Sequence, residues 1–117
     1  MPAFGFLRNE QDVRTFTAGD VVFREGEVGE CMFLVLEGEV EIRRGGRVLE
    51  TVGEDSVFGE LALIDQAPRS ATAVAARDCR LAAIGQQRFV ALVQRTPFFA
   101  IDIMQVLAER LRRSTSS

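Results

Sequence analysis

The chain contains no lysine and no histidine; all 14 of its basic residues are arginine. Without lysine there is no Schiff-base chemistry. Without histidine the commonest general base and the commonest metal ligand are both missing, so no metal site is expected. No apolar run approaches the ~20 residues that a bilayer span requires. The opening MPAFGFLRNE has neither a basic start nor a long apolar stretch, so no secretory signal is expected. There is no basic excess either: 14 arginines face 17 acidic residues, net charge −3, which speaks against direct nucleic-acid binding. Cysteine is scarce, and Cys31 and Cys79 sit in apolar surroundings without a partner motif. They read as small core residues in a reducing compartment, and the chain as cytoplasmic. A composition so poor in catalytic equipment does not suggest an enzyme.

What is present suits one folded domain. The 117 residues leave no room for two, and the apolar and charged shares, 47% and 26%, are ordinary for globular chains. A chain this long buries roughly two-thirds of its unfolded surface, enough for a core. No internal repeat or low-complexity linker interrupts it.

From Phe16 to Ile84, short β-rich runs alternate with glycine punctuation. Val21–Arg24 follows the turn Ala18-Gly19-Asp20. Cys31–Leu36 is a six-residue apolar run bounded by turn signals, which suits a strand buried on both faces. Glu39–Arg43 alternates strictly, placing Val40 and Ile42 inward. Arg44-Gly45-Gly46-Arg47 reads as a hairpin loop, because paired glycines accept the positive φ of tight turns. Val48–Val52, Ser70–Ala75 and Arg80–Ile84 supply further strands. Turns at this spacing predict an antiparallel β-barrel of about eight strands, over about residues 16–84.

The period changes near Gln86. Phe89, Leu92 and Val93 follow helical spacing, Pro97 interrupts, and a second helix is predicted from Phe98 to Arg113. Ile101, Met104, Leu107, Ala108 and Leu111 fall on one stripe, expected to pack on the barrel, with Arg110 at the edge of the polar side. Ser114–Ser117 reads as a frayed end.

One segment stands apart. FGELALIDQAPRSATA, residues 58–73, places a carboxylate, Glu60, and a guanidinium, Arg69, at the two ends of an apolar, tightly turning stretch. Gly59 before a short helical turn lets backbone approach a ligand, and the free N–H groups at that turn favour an anion. Pro68 ends the turn, since proline disfavours helix in the residue before it. Arg69, flanked by the small Ser70 and Ala71, presents a fork that matches two phosphate oxygens. Glu60 would repel a bare anion, but it suits a ligand that also donates a hydroxyl. A cyclic nucleotide carries both a singly charged phosphate and a ribose 2′-hydroxyl on one rigid bicycle. The residues alone leave this reading level with a structural Glu60–Arg69 ion pair that pins the loop.

The same segment resembles the phosphate-binding cassette of cyclic-nucleotide-binding domains, the module of catabolite-activator-type regulators, cyclic-nucleotide-dependent kinases and nucleotide-gated channels. The resemblance extends from Phe16 to about Arg113 and includes FTAGDVVFREGEVGECMFLVLEGEVEI, with Gly19, Gly26, Gly29 and Gly38 at the barrel turns. It implies a mainly β, jelly-roll barrel (a double-stranded β-helix) with carboxy-terminal α-helices. It implies Arg69 on the cyclic phosphate and Glu60 accepting from the 2′-hydroxyl. Gly59, Ser70 and Ala71 would make close backbone contacts, and Phe58 and Leu61 complete the ligand-binding set. The base would meet barrel side chains such as Val40, Val48 and Leu49, with Arg110 as a candidate cap from the last helix. The ligand favoured is cAMP; Ser70 leaves cGMP open, since its hydroxyl suits guanine's amino group. No other cofactor is implied. The sequence contains no helix-turn-helix, kinase or channel, so the output protein is unknown; a homodimer is allowed.

Two other readings compete. A cupin-like enzyme would need histidine ligands that this chain lacks. A degenerate barrel kept for protein contacts would be expected to have lost the Glu60/Arg69 pair, and this chain retains both.

Overall fold

The structure is a computed structural model that describes residues 4–115. The first three residues of the amino-terminal stretch lie outside it, as do Ser116 and Ser117 of the expected frayed end.

Among the described residues, eight strands form two four-stranded antiparallel sheets. One has the order β1 (Val13–Phe16), β8 (Cys79–Gly85), β3 (Cys31–Glu37), β6 (Val57–Phe58). The other runs β2 (Val21–Phe23), β7 (Thr72–Ala75), β4 (Val40–Arg44), β5 (Arg47–Val52). Among the described residues there are three α-helices, α1 (Leu61–Ile64), α2 (Gln86–Arg95) and α3 (Phe98–Thr115), preceded by a 3-10 turn at Gly5–Asn9. The mainly β architecture with carboxy-terminal helices is the one expected. The segment between β6 and β7 leaves one sheet and enters the other, so residues 59–71 bridge the two.

The six-residue apolar run behaves as its pattern requires. Along β3, Met32, Leu34 and Leu36 join a cluster under the helices with Leu7, Ile84, Phe99 and Ile103. Phe33 and Val35 face the opposite way, into a core shared with Val40, Phe58, Ala73 and Leu81. One strand thus serves two cores, which is why it needs apolar residues at every position. The hairpin between β4 and β5 turns at Gly45 and Gly46, both at positive φ (59° and 78°), as paired glycines permit.

β1 and β6 are not apparent from pattern. Val13, Arg14 and Thr15 are exposed, so β1 shows no buried face and exists through its pairing with β8, Val13 opposite Ala82. β6 has two residues, too few for any period to register.

The expected packing face of the last helix is wrong. Ile101, Met104 and Leu111 are exposed, whereas Phe99 and Ile103 are buried and Val106 and Leu107 pack against the same cluster. Phe99 sets the rotation: its ring lies among Phe4, Phe6 and Phe89 at centroid distances of 5.3–6.2 Å, an arrangement favourable for aromatic edges and faces. The same rotation carries Arg110 inward. The break after Arg95 bends α3 by 117° from α2, and among the described residues no single helix is long and apolar enough to cross a membrane.

Candidate functional site

The bridging segment walls a cavity of about 300 Å³. Phe23, Ile42, Phe58, Leu61, Ala62 and Pro68 supply apolar surface; Glu50, Glu60, Asp65, Arg69 and Arg110 supply its charges. A volume near 300 Å³ with a few convergent polar groups is the ordinary form of a small-ligand site.

Arg69 is 7% exposed. The backbone holds it first: Arg69 N–H donates to Glu27 O and Gly26 N–H donates to Arg69 O, both at 2.8 Å. Its guanidinium lies on the Phe23 ring, 3.9 Å from Cζ to the centroid, a cation–π contact strengthened by burial. Nη1 donates to Gly59 O at 2.9 Å and Nη2 to Cys31 O at 2.6 Å, while Nε is buried without a partner among the described residues. Burial lowers the pKa of this guanidinium. No ion pair neutralises it among the described residues, so its charge is left for an incoming anion.

Two glycines make that placement possible. Gly59 sits at φ +79°, and a Cβ there would stand 2.8 Å from Arg69 Nη1. At Gly29 a Cβ would lie 2.5 Å from Ala62 Cβ and 2.6 Å from Arg69 Nε. Any side chain at either position displaces the guanidinium or the turn beside it.

Glu60 caps α1 from a helical conformation and is 4% exposed. It does not pair with Arg69. Its Oε1 instead accepts from Arg110 Nη1 of α3, which removes the loop-pinning ion pair as an account of the segment. Burial raises the Glu60 pKa, with Arg110 working against it. Arg110 also donates Nε to Glu50 Oε1 and Nη2 to Glu50 Oε2, each at 3.0 Å, and Nη2 to Val57 O at 2.6 Å. Burial works to lower the Arg110 pKa, but the two carboxylates outweigh it and the net shift is upward.

Phe58, Gly59, Glu60, Leu61, Arg69, Ser70, Ala71 and Arg110 therefore all line one cavity. Val40, Val48 and Leu49 do not. Val40 belongs to the inter-sheet core, and Val48 and Leu49 are exposed at 51% and 47%. The β4–β5 register explains this: it shifts between Ile42 and Arg43, so Ile42, opposite Glu50, meets the cavity instead. Arg110 sits in the wall as the partner of two carboxylates, not as a solvated edge residue. Phe23, Glu50 and the close approach of Gly29 carry no local signal in the sequence; each matters through a partner 33 to 60 residues away.

Known proteins resemble this chain in sequence and fold. A family model described as "Cyclic nucleotide-binding domain" matches residues 13–96. The chain is 37% identical over 106 residues to the cyclic AMP receptor protein of Thermus thermophilus, covering 86% of this chain and 49% of that protein. It is 38% identical over 97 residues to a cyclic nucleotide-gated potassium channel of Rhizobium etli, covering 83% and 27%. The crystal structure of the Thermus thermophilus catabolite activator protein superposes with a TM-score of 0.84 at 33% identity, covering 93% of this chain and 54% of that one. The chain spans about half the length of the first curated relatives it matches.

Proposed function

The chain belongs to the cyclic nucleotide-binding domain family, and from that premise we propose that its cavity takes one cyclic nucleotide, preferentially cAMP, as a sensor and without turnover. The observation that carries this reading is the separation of charge in the cavity. Arg110 is already paired with Glu60 and Glu50, whereas Arg69 is buried with no ion pair among the described residues. A monoanionic phosphate supplies the missing charge, and its two free oxygens suit a guanidinium held over the Phe23 ring. Glu60 offers the ribose an acceptor on the same wall. The apolar side chains from Phe23, Ile42, Phe58 and Leu61 leave a surface fit for the sugar and base.

Ser70 and Ala71 follow Arg69 on the rim and add backbone contacts. The preference for cAMP rests on the relative named a cyclic AMP receptor protein; cGMP is the competitor that Ser70 admits. In this reading the nucleotide is the only small-molecule partner, and the signal passes to an output protein in the cytoplasm, with a homodimer as the form that would deliver it. α3 is the route, since its Arg110 stands in the cavity wall. Calorimetry of the chain with cAMP, cGMP and cyclic di-GMP tests the proposal. Saturable 1:1 binding of cAMP, tighter than the other two, is expected; no heat with any of the three overturns it.

A further inference from the structure

We propose that Glu50 is a positioning residue for ribose recognition, acting through Arg110 to hold Glu60 as a hydroxyl acceptor. The inference rests on the cyclic-nucleotide reading and deepens it. Glu60 is a buried carboxylate at the start of a single-turn helix; it makes no side-chain cap bond to α1, and the only local hold on it is its own backbone amide. Its orientation comes from Arg110, fifty residues away on another element.

Arg110 is in turn a long, flexible side chain, and one partner would leave it free to swivel. Glu50 prevents that. Its carboxylate takes Nε and Nη2 together, which fixes the plane of the guanidinium, and Val57 O takes Nη2 from the strand beside it. The remaining nitrogen, Nη1, is thereby aimed at Glu60 Oε1 alone. Arg110 does not hold Oε2, which the ribose can then use. The side chains of Glu50 and Arg110 are only 21% and 22% exposed, so water does not loosen the fork as it would on an open surface.

Glu50 has a second effect. Two carboxylates on Arg110 more than offset its positive charge, so it does not compete with Arg69 for the phosphate. Arg113 lies 3.6 Å from the same Glu50 oxygen, which further ties α3 to β5. The site thus assigns its two arginines different tasks: Arg69 meets the ligand, and Arg110 links the supporting Glu50 to Glu60, the residue that meets the ribose.

The test compares cAMP with 2′-deoxy-cAMP, which lacks the hydroxyl that Glu60 would accept. A hydrogen bond to a charged acceptor predicts that the wild-type chain prefers cAMP by roughly 10- to 150-fold. In Glu50→Gln, which keeps shape but loses the carboxylate, that ratio should fall at least fivefold. Arg110→Lys, which keeps the charge and loses the fork, should lower it as well. Glu50→Gln combined with Glu60→Gln should lower it no further than Glu60→Gln alone, because the two act in series. Apo melting of each variant separates folding from recognition, since a merely structural loss weakens both nucleotides equally and leaves the ratio where it was. A wild-type ratio preserved in both Glu50→Gln and Arg110→Lys overturns this inference and leaves the cavity assignment intact. Absence of cAMP binding in the wild-type chain overturns the proposed function itself, and this inference with it.

Discussion

Replacing Arg69 with alanine separates ligand binding from fold. The side chain brings the one buried guanidinium of the cavity without an ion pair, and the proposed phosphate would be its counter-charge. Truncating one member of such a desolvated, hydrogen-bonded pair costs about 2–5 kcal/mol. At about 1.4 kcal/mol per decade, cAMP affinity should fall roughly 30- to 3,000-fold. Unlike a purely ligand-facing residue, Arg69 also works in the empty protein. It donates to Gly59 O and Cys31 O and covers Phe23. Its removal leaves two part-buried carbonyls without that donor, which costs about 1–3 kcal/mol. Relief of the desolvated charge offsets part of this. Apo melting should therefore drop by a few degrees while the fold persists. Arg69→Lys should fall between wild type and alanine, because an ammonium keeps the charge but cannot serve both carbonyls and the phosphate in one plane. Calorimetry at fixed ionic strength, with apo melting on each variant, reads both effects. Wild-type cAMP affinity in Arg69→Ala, within about threefold, would refute the phosphate assignment whatever happened to the melting temperature.

Four further outcomes are expected. At 100 times its dissociation constant cAMP adds about 2.7 kcal/mol, which for a domain of this size raises melting by roughly 8–16 °C; linear 5′-AMP should raise it far less, and equal shifts would remove the case for a cyclic phosphate. Because burial raises the Glu60 pKa, ionising it is less favourable in the folded chain than in the unfolded one. Its contribution is thus complete below the ordinary glutamate range and lost as pH rises through the raised value. The melting temperature of wild type minus that of Glu60→Gln should accordingly decrease as pH rises above the ordinary glutamate range, and an increase would mean that the Arg110 pair outweighs burial. Gly29→Ala should cost about 1–3 kcal/mol of apo stability by overpacking and weaken cAMP, since its Cβ meets Ala62 and Arg69, whereas Gly53→Ala, with open space around it, should do neither. Hydrogen exchange should slow in residues 98–113 when cAMP binds, because Arg110 connects the cavity to α3; protection confined to residues 58–73 would show binding without transmission.

Local sequence by itself determined the elements whose physics is local. Alternation in β4, the two-sided run of β3 and the paired glycines of the β4–β5 turn each follow from backbone geometry within a few residues. The cassette from Phe58 to Ala71 was legible through its resemblance to a known motif; its residues alone left a ligand site level with a Glu60–Arg69 ion pair, because local order does not say which groups the two charges meet. Tertiary structure decided the partners. In α3 apolar residues occupy more than one face, so period alone did not choose between Ile101–Met104–Leu111 and Phe99–Ile103; the aromatic cluster around Phe99 chose. That rotation brought Arg110 to Glu60 and Glu50, a contact spanning fifty and sixty residues that no spacing rule encodes. The support of Arg69 by Cys31, Phe23 and Gly29 depends likewise on two sheets meeting. Periodicity is a property of neighbours along the chain, whereas charge pairing in a buried cavity belongs to residues that only the packed fold brings together.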